Sequence, residues 1–302
     1  MNYLISIPTY NGGKKWEEAA AAIRKDINED GRVRVIDSGS TDNTVRIAKE
    51  YGFDVLNILK SEFNHGGTRN LAFENIDGVD VVIFLTQDAI PCSGFINNIL
   101  RCFEDNQVCC AYGRQLPHND ADPIAIHARN FNYPNISHKY SKNDITKYGI
   151  KTVFMSNSFS AYRVDIFNKL GGFPSHTILC EDMYFAAKAI EAGYSICYMA
   201  EANVRHSHNY TAVDEFKRYF DIGVFHKNEP WIQNLTGGLG GEGKKFVLSE
   251  INFVLGKNPL LVIKSIFATC MKLLGLKLGT YYSFLPRCII KKMSMHKGYW
   301  QE

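Results

Sequence analysis

The sequence predicts an α/β protein with a mostly parallel sheet flanked by helices. Over the first 112 residues, apolar runs of five or six residues alternate with helix-periodic stretches, the pattern of successive βαβ units. Four consecutive runs end in polar, glycine-rich or acidic turns. With 302 residues, 45% hydrophobic and 22% charged, the chain is large and apolar enough for a sizeable core.

Each element has a local reason. Tyr3 to Ile7 is an apolar run that stops at Pro8, and Trp16 to Ile27 is helix-like with an alanine-rich centre. Arg32 to Ile36 alternates apolar and polar residues, as a half-buried strand does, and ends at Asp37. Asp42 is placed to cap a helix reaching Tyr51. Phe53 to Ile58 reads as a third strand, Thr68 to Phe73 as a short helix and Asp80 to Leu85 as a fourth strand. Ser93 is placed to cap a helix to Asn106, and Val108 to Tyr112 is a fifth strand. Further on, Thr152 to Tyr162 re-enters the sheet, Leu170 to Pro174 turns, and Met183 to Ala192 is helical.

Ligands of open α/β sheets bind outside the carboxyl ends of the strands. Pro8, Thr9, Tyr10 and Asn11 lie there after the first strand; Asp37, Ser38, Gly39 and Asp42 after the second; His65, Gly66 and Arg69 after the third; Gln87 and Asp88 after the fourth. No G-x-G-x-x-G follows the first strand and no P-loop lysine is present, which disfavours a dinucleotide or a P-loop triphosphate. The acids Asp37 and Asp42 suit the N–H groups of a base or the hydroxyls of a ribose. His65 and Arg69 suit phosphate oxygens, with the Gly66-Gly67 backbone passing close. Asp88 suits a divalent cation that takes its other ligands from phosphates, or alternatively caps the turn at Pro91. A nucleoside diphosphate carrying a leaving group meets all of these demands.

The segments SIPTYNGG, VIDSGSTDNT, NHGGTRN, FLTQDAIP and CEDMYFAAKAIEAGY resemble, in this order, the motif series of family 2 glycosyltransferases. The resemblance covers about Tyr3 to Tyr210 and is nearest to bacterial rhamnosyltransferases that use dTDP-L-rhamnose. It implies a GT-A fold, a Rossmann-like sheet with a nucleotide-sugar site, and inverting transfer to a glycan or lipid-linked acceptor in surface polysaccharide synthesis. A UDP- or GDP-sugar donor, or a silent sugar-nucleotide-binding subunit, remains the alternative. The family's fourth strand ends in D-x-D, whereas here it reads Gln87-Asp88-Ala89-Ile90, so Asp88 alone stands for the metal motif and Mg2+ or Mn2+ is the cofactor implied.

Glu181 and Asp182 open a helix, where acids also cap and pair with the helix dipole. The resemblance makes Asp182 the general base and Glu181 its neighbour. His206 and His208, two apart in an extended stretch, face one side and can approach a metal or phosphate. The resemblance sends one of them there. Asn157, Ser158 and Ser160 are placed to line the acceptor side; Arg218 and Asp221 either border it or lie on a solvated helix face.

The expected organisation is a catalytic domain over 1–235, with a donor half 1–112 and an acceptor and base half 113–235. A glycine-rich loop and basic helical region follow over 236–302. Leu235 to Lys245 is either a lid over the donor or a hinge. From Lys244 onward ten basic residues face two acids, Glu250 and Glu302, against 24 basic and 29 acidic residues before it. Lys264, Lys272 and Lys277 interrupt long apolar pieces of this tail, so it is expected to lie on an anionic membrane surface rather than to span it. The expected location is cytoplasmic, on the inner face of the membrane, with no nucleic-acid partner. No signal-peptide pattern opens the sequence. The eight cysteines show no C-x-x-C spacing and are expected to be free thiols in a reducing compartment. Cys109 and Cys110, adjacent on a strand, are expected on opposite faces.

Overall fold

Alternation of short apolar runs and helices builds one nine-stranded sheet, given by a computed structural model that describes residues 1–28, 31–238 and 241–300. The first half contains β1 (Tyr3–Thr9), α1 (Gly13–Asp26), β2 (Arg32–Asp37), α2 (Thr44–Glu50), β3 (Asp54–Asn57), α3 (His65–Asn70) and β4 (Val81–Leu85). Then come β5 (Ile90–Pro91), α4 (Phe95–Leu100), β6 (Val108–Leu116), α5 (Pro123–Asn132), β7 (His138–Tyr140) and α6 (Ile145–Tyr148). The second half adds β8 (Phe159–Arg163), α7 (Val164–Lys169), α8 (Glu181–Glu191), β9 (Ser195–Arg205), α9 (Ala212–Asn228) and α10 (Pro230–Thr236). Three helices close the described chain: α11 (Glu242–Leu255), α12 (Leu260–Thr280) and α13 (Arg287–Met293).

Strand order is β3-β2-β1-β4-β8-β6-β9-β5, with β7 on β9. The pairs β1–β2, β2–β3 and β1–β4 are parallel, as expected. The sheet as a whole is mixed, because β8 runs antiparallel to both β4 and β6. That reversal matters for function. Leu85 pairs with Phe159, so residues just before β8 share a rim with residues just after β4. The parallel pair β6–β9 brings its own carboxyl ends to the same rim. Apolar clusters fill both faces of the sheet, one around Trp16, Ile83 and Phe95, the other around Phe84, Tyr162 and Phe185.

Some local expectations change. Asn43, not Asp42, occupies the N-cap of α2; Asp42 instead accepts from the Thr44 N–H and hydroxyl. The helix after Ser93 starts beyond Gly94, which takes φ +79°, and stops at Leu100 before a short 3-10 turn. Cys109 and Cys110 do not face apart: a register shift between Val108 and Cys110 leaves their sulfurs 3.5 Å from each other in one cluster. All eight cysteines are free thiols.

The C-terminal region is helical, as expected, and α12 lies against α9 at backbone distance. A Cβ at Gly275 or Gly279 would overlap the carbonyls of Phe216 or Phe220, and one at Gly223 would overlap that of Leu276. The lysines of α12 do not all face outward. Lys272 is buried and pairs with Glu215 at 3.1 Å, and Lys264 reaches Asp122 at 2.9 Å. Lys277 remains exposed. The outward face instead carries apolar side chains: Leu260, Ile263, Phe267, Leu273 and Leu274 are exposed, and Phe284 beyond the helix is 81% exposed. No helix among the described residues is long and apolar enough to cross a membrane. Of the loop expected over Leu235 to Lys245, Leu239 and Gly240 lie outside the described residues.

Candidate active site

The carboxyl rim carries three groups of residues. At its donor edge, Asp37 is 1% exposed and both its oxygens are engaged. Oδ1 accepts from the Thr9 and Ser40 hydroxyls, Oδ2 from the Gly39 and Ser40 N–H groups. Four donors saturate a carboxylate, so Asp37 shapes the loop after β2 and is not free for a base or ribose as expected. Asp42 ties that loop to Gly13 N–H at 3.1 Å. Gln87 is likewise committed: its amide accepts from Tyr10 N at 2.8 Å and donates to Tyr10 O at 3.1 Å, clamping the end of β1 to the end of β4 rather than reaching a ligand. Pro8 is half-buried inside β1, and Ser38 is buried. The faces left open are the exposed Tyr10 ring with the Lys60 ammonium 4.5 Å from its centre, Asn11, and the exposed backbone at Gly39.

The NHGGTRN stretch forms a helix, not a phosphate cradle. Asn64 caps α3 by accepting from Gly67 N–H. Gly66 is required there because a Cβ would overlap the Pro174 carbonyl. Arg69 is 6% exposed and pairs with Glu181 at 3.1 Å, while His65 lies 3.3 Å from His296. The expectation that Arg69 and His65 face phosphate is thereby corrected: both brace the acidic pair that opens α8.

In that pair the two carboxylates are set apart by their surroundings. Glu181 meets Arg69 and accepts from the Asn157 side-chain amide at 2.9 Å. Burial opposes its charge, but Arg69, His65 and Asn157 outweigh it and hold the carboxyl below the usual range. Asp182 accepts from Asn157 N–H at 3.0 Å and from Met183 N–H at 2.8 Å. Its pKa is pushed up to about 7, first by burial and then by the Glu181 carboxylate. Neighbouring acids pushed in opposite directions are a pattern of acid–base chemistry, and a carboxylate titrating near neutrality can take a proton at working pH. Cys180, immediately before them, holds φ +60°, a left-handed conformation that non-glycine residues adopt at a cost. Asn157, expected at the acceptor, is 4% exposed with its carbonyl oxygen engaged by Ser160 and Tyr162. It positions both acids instead. Ser158 is half-buried, and its carbonyl accepts from Thr86 N–H.

At the third group, Asp88 Oδ2 lies 3.6 Å from both His206 Nε2 and His208 Nε2. One ligand atom from each of the three lies within 4.8 Å of the others. Continuation of the ladder past β9 aims these imidazoles: His206 N–H donates to Leu116 O, so residues 206 and 208 project to one side. His206 Nδ1 is 2.9 Å from Gln115 Oε1. That oxygen also accepts from Arg129, and the Gln115 amide nitrogen donates to Ser156 Oγ at 2.8 Å. The Gln115 oxygen can only accept, so the proton sits on His206 Nδ1 and the Nε2 lone pair faces Asp88. Burial pushes the His206 pKa down to about 3 and lowers that of His208. Neutral imidazoles are the form that ligates metal. Burial works against ionisation of Asp88, and attraction to either imidazole in its protonated form pulls its carboxyl below the usual range. The residues present therefore fit a divalent cation. Two nitrogens and one carboxylate favour an ion tolerant of imidazole, such as Mn2+, over Mg2+ with its preference for oxygen.

Gln115 is not singled out in the sequence because the fifth strand is ended there at Tyr112, although a polar residue closing an apolar strand is the same signal that marks Asp88; Ser156 lies inside the Thr152 to Tyr162 stretch, one residue before those expected at the acceptor. Arg218, expected at the acceptor, is open to solvent although protein surrounds it on the cleft wall. It forms no ion pair among the described residues, and its charge is felt by His208, Tyr210, Cys180 and His296.

Comparison with known proteins gives the family and the fold. Residues 4–171 match the model of Glycosyl transferase family 2. The chain is 52% identical over 301 residues to the O-antigen chain rhamnosyltransferase WbaN of Salmonella anatum, covering 99% of this chain and 96% of that one. It is equally close, over 302 residues and the same shares, to the O-antigen chain rhamnosyltransferase RfbN of Salmonella typhimurium. In three dimensions it resembles the mannosyltransferase PcManGT from Pyrobaculum calidifontis, solved in complex with GDP-Man and Mn2+ (TM-score 0.64, 14% identity, 93% of this chain and 87% of that one). TarS 1-349 of S. aureus superposes with a TM-score of 0.54 at 15% identity over 94% and 92%. These likenesses show the GT-A fold. With the family model spanning more than half of its residues, the chain belongs to glycosyl transferase family 2, and it is a glycosyltransferase.

Proposed function

We propose that the chain moves L-rhamnose from dTDP-L-rhamnose onto a glycan or lipid-linked glycan, with inversion, during synthesis of a bacterial surface polysaccharide. One observation carries the reaction: Asp182 and the Asp88–His206–His208 cluster share one rim, joined through Gln115, Ser156 and Asn157. The sugar rests on the likeness to two O-antigen chain rhamnosyltransferases.

In this reading Asp182 takes the proton of the acceptor hydroxyl. The freed oxygen pair forms the new bond to the anomeric carbon, and the old C–O bond leaves its pair on the nucleoside diphosphate. The Asn157 N–H fixes the Asp182 carboxylate for that transfer, while burial and the Glu181 charge keep its affinity for a proton high. Asp88, His206 and His208 would hold Mn2+ or Mg2+, which neutralises charge gathering on the diphosphate when bound. Arg218, with no ion pair among the described residues, adds a second positive charge on the leaving-group side rather than at the acceptor. Tyr10, Asn11 and Gly39 form the open donor edge against the nucleoside.

We place the protein on the inner face of the cytoplasmic membrane. The exposed apolar row from Leu260 to Phe284, with Lys257, Lys277, Lys291 and Lys292 exposed around it, supports contact with an anionic surface.

A screen of dTDP-, UDP- and GDP-sugars, with and without Mn2+ or Mg2+, tests the reading through thermal stabilisation and nucleoside diphosphate release. Dependence on dTDP-rhamnose is the expected result. Turnover with a UDP- or GDP-sugar alone overturns the sugar and keeps the transferase. Absence of transfer with every donor favours a silent sugar-nucleotide-binding subunit. The imidazole pair argues against that alternative, since it supplies ligands where the second acid is missing.

A further inference from the structure

A cavity of about 790 Å3 lies beside the acidic pair and apart from the donor edge, within the usual range for ligand sites. Three segments wall it. Residues 61–65 lead into α3, residues 175–178 lead into Cys180, Glu181 and Asp182, and a C-terminal strap covers it from Tyr282 to Trp300. The strap is fastened from below: Asp221 accepts from the N–H groups of Met295 and His296 at 2.9 and 3.1 Å. Its His296 meets His65 with ring centres 4.6 Å apart. The His65 carbonyl on this wall accepts from Arg69, the partner of Glu181, so the wall adjoins the acidic pair. Lys60 holds Tyr10 on the donor face at 2.7 Å, whereas Phe63 and His65, a few residues on, face the cavity. This short segment thus partitions the two spaces.

We propose that this cavity receives the terminal sugar residues of the acceptor glycan, a deepening that rests on the transferase reading above. Aromatic and polar side chains make up most of the lining: Phe63, Tyr282 and Trp300 bring rings, and Ser61, Asn64 and Ser175 bring hydroxyl and amide groups, beside the aliphatic Ile178, Leu285 and Ile290. Flat rings with a few polar groups suit a polyhydroxylated, uncharged ligand better than a lipid chain.

The test compares Trp300→Ala and Phe63→Ala, at two rings of the lining, with the unmutated chain. Membranes from a host strain lacking this chain supply the native acceptor, and radiolabelled sugar incorporation is the readout. Both variants are expected to need roughly ten-fold more acceptor membrane for half-maximal rate, with donor KM and acceptor-independent donor hydrolysis within about two-fold. Unchanged acceptor dependence in both, or a donor KM that moves in parallel, overturns the proposal. Should Trp300→Ala fail to fold, Phe63→Ala decides alone. A failure of dTDP-rhamnose with the unmutated chain counts against the donor reading only; the same variants are then measured with the sugar nucleotide that turns over.

Discussion

Gln115 and His206 form the hydrogen bond that connects the two halves of the site, Oε1 to Nδ1 at 2.9 Å. On its other side the Gln115 amide reaches Ser156, and the next residue, Asn157, donates its N–H to Asp182. One buried glutamine therefore sets the tautomer of a candidate metal ligand and sits two links from the candidate base. Gln115→Leu removes the acceptor that holds the Nδ1 proton and leaves the Arg129 guanidinium without it. Loss of such a supporting partner weakens metal binding by about 10–100-fold. The expected outcome is a rightward shift of that size in the Mn2+ titration of donor turnover, with nucleoside diphosphate binding in EDTA unchanged. A titration that does not move would assign Gln115 to folding alone.

The donor set itself makes a second prediction. Two imidazoles and one carboxylate favour Mn2+ over Mg2+, so half-maximal activity is expected at a lower concentration of Mn2+. His208→Ala removes one of the two nitrogens and should narrow that preference; His206→Ala should abolish metal-dependent stabilisation by the donor, read as a lost thermal shift.

Asp182, with a pKa pushed up to about 7 by burial and by Glu181, predicts the pH profile. A base works only when deprotonated, so kcat/KM should rise with pH, bend near pH 7 and level above it. Glu181→Gln deletes the like charge and should move the bend to lower pH; Arg69→Met deletes a charge that favours ionisation and should move it higher. Asp182→Asn is expected to lower kcat by about 10^2 to 10^4-fold while dTDP still binds. The stability sign is also fixed. A raised folded pKa on an acid means that ionisation above pH 7 opposes folding, so the thermal midpoint of Asp182→Asn at pH 8 should equal or exceed that of the parent chain. A clear fall at pH 8 would contradict the buried, proton-holding carboxylate described above.

The Arg69–Glu181 pair is nearly closed to solvent, and this gives Arg69→Met a second consequence. Removing one partner of a buried pair leaves the other charge uncompensated and costs about 3–5 kcal/mol. Chemical denaturation at pH 7.5 should show a loss of this size. Glu181 has a depressed pKa, so its contribution is present above the usual glutamate range and fades as pH falls through the folded value. The gap between Arg69→Met and the parent chain should accordingly narrow in acid.

Local pattern made much of this architecture legible. Strands β1 to β4 are short, apolar and bounded by turns, so both their identity and their functional rim followed from alternation. His206 and His208 were found because an extended backbone sends residues two apart to one side. What stayed hidden depended on partners distant in sequence. Arg69 reads as a phosphate ligand until Glu181, 112 positions on, neutralises it. Asp37 reads as a free acid until Thr9 and the Ser40 turn fill its lone pairs. Lys272 reads as a membrane contact until Glu215 turns it inward, and the exposed Lys264 until Asp122 pairs with it. A buried ion pair and an exposed charge have the same one-letter code, so the sign of such residues' roles is set only by tertiary packing.

The outward face of α12 carries the last prediction. Leu260, Ile263 and Phe267 repeat at helical spacing and are each more than half exposed, although water disfavours such a row. Burial of each side chain in an interface is worth about 1.5–3 kcal/mol, and the exposed lysines nearby add attraction to anionic headgroups. Leu260→Ser, Ile263→Ser and Phe267→Ser combined should reduce sedimentation with phosphatidylglycerol-rich vesicles by at least about ten-fold while leaving donor hydrolysis in solution intact, because these side chains point away from the α9 contact formed by Gly275 and Gly279. Raising salt should weaken, not abolish, binding of the parent chain, since screening removes the lysine contribution and leaves the apolar one. Equal sedimentation of variant and parent would place the membrane contact elsewhere or remove it.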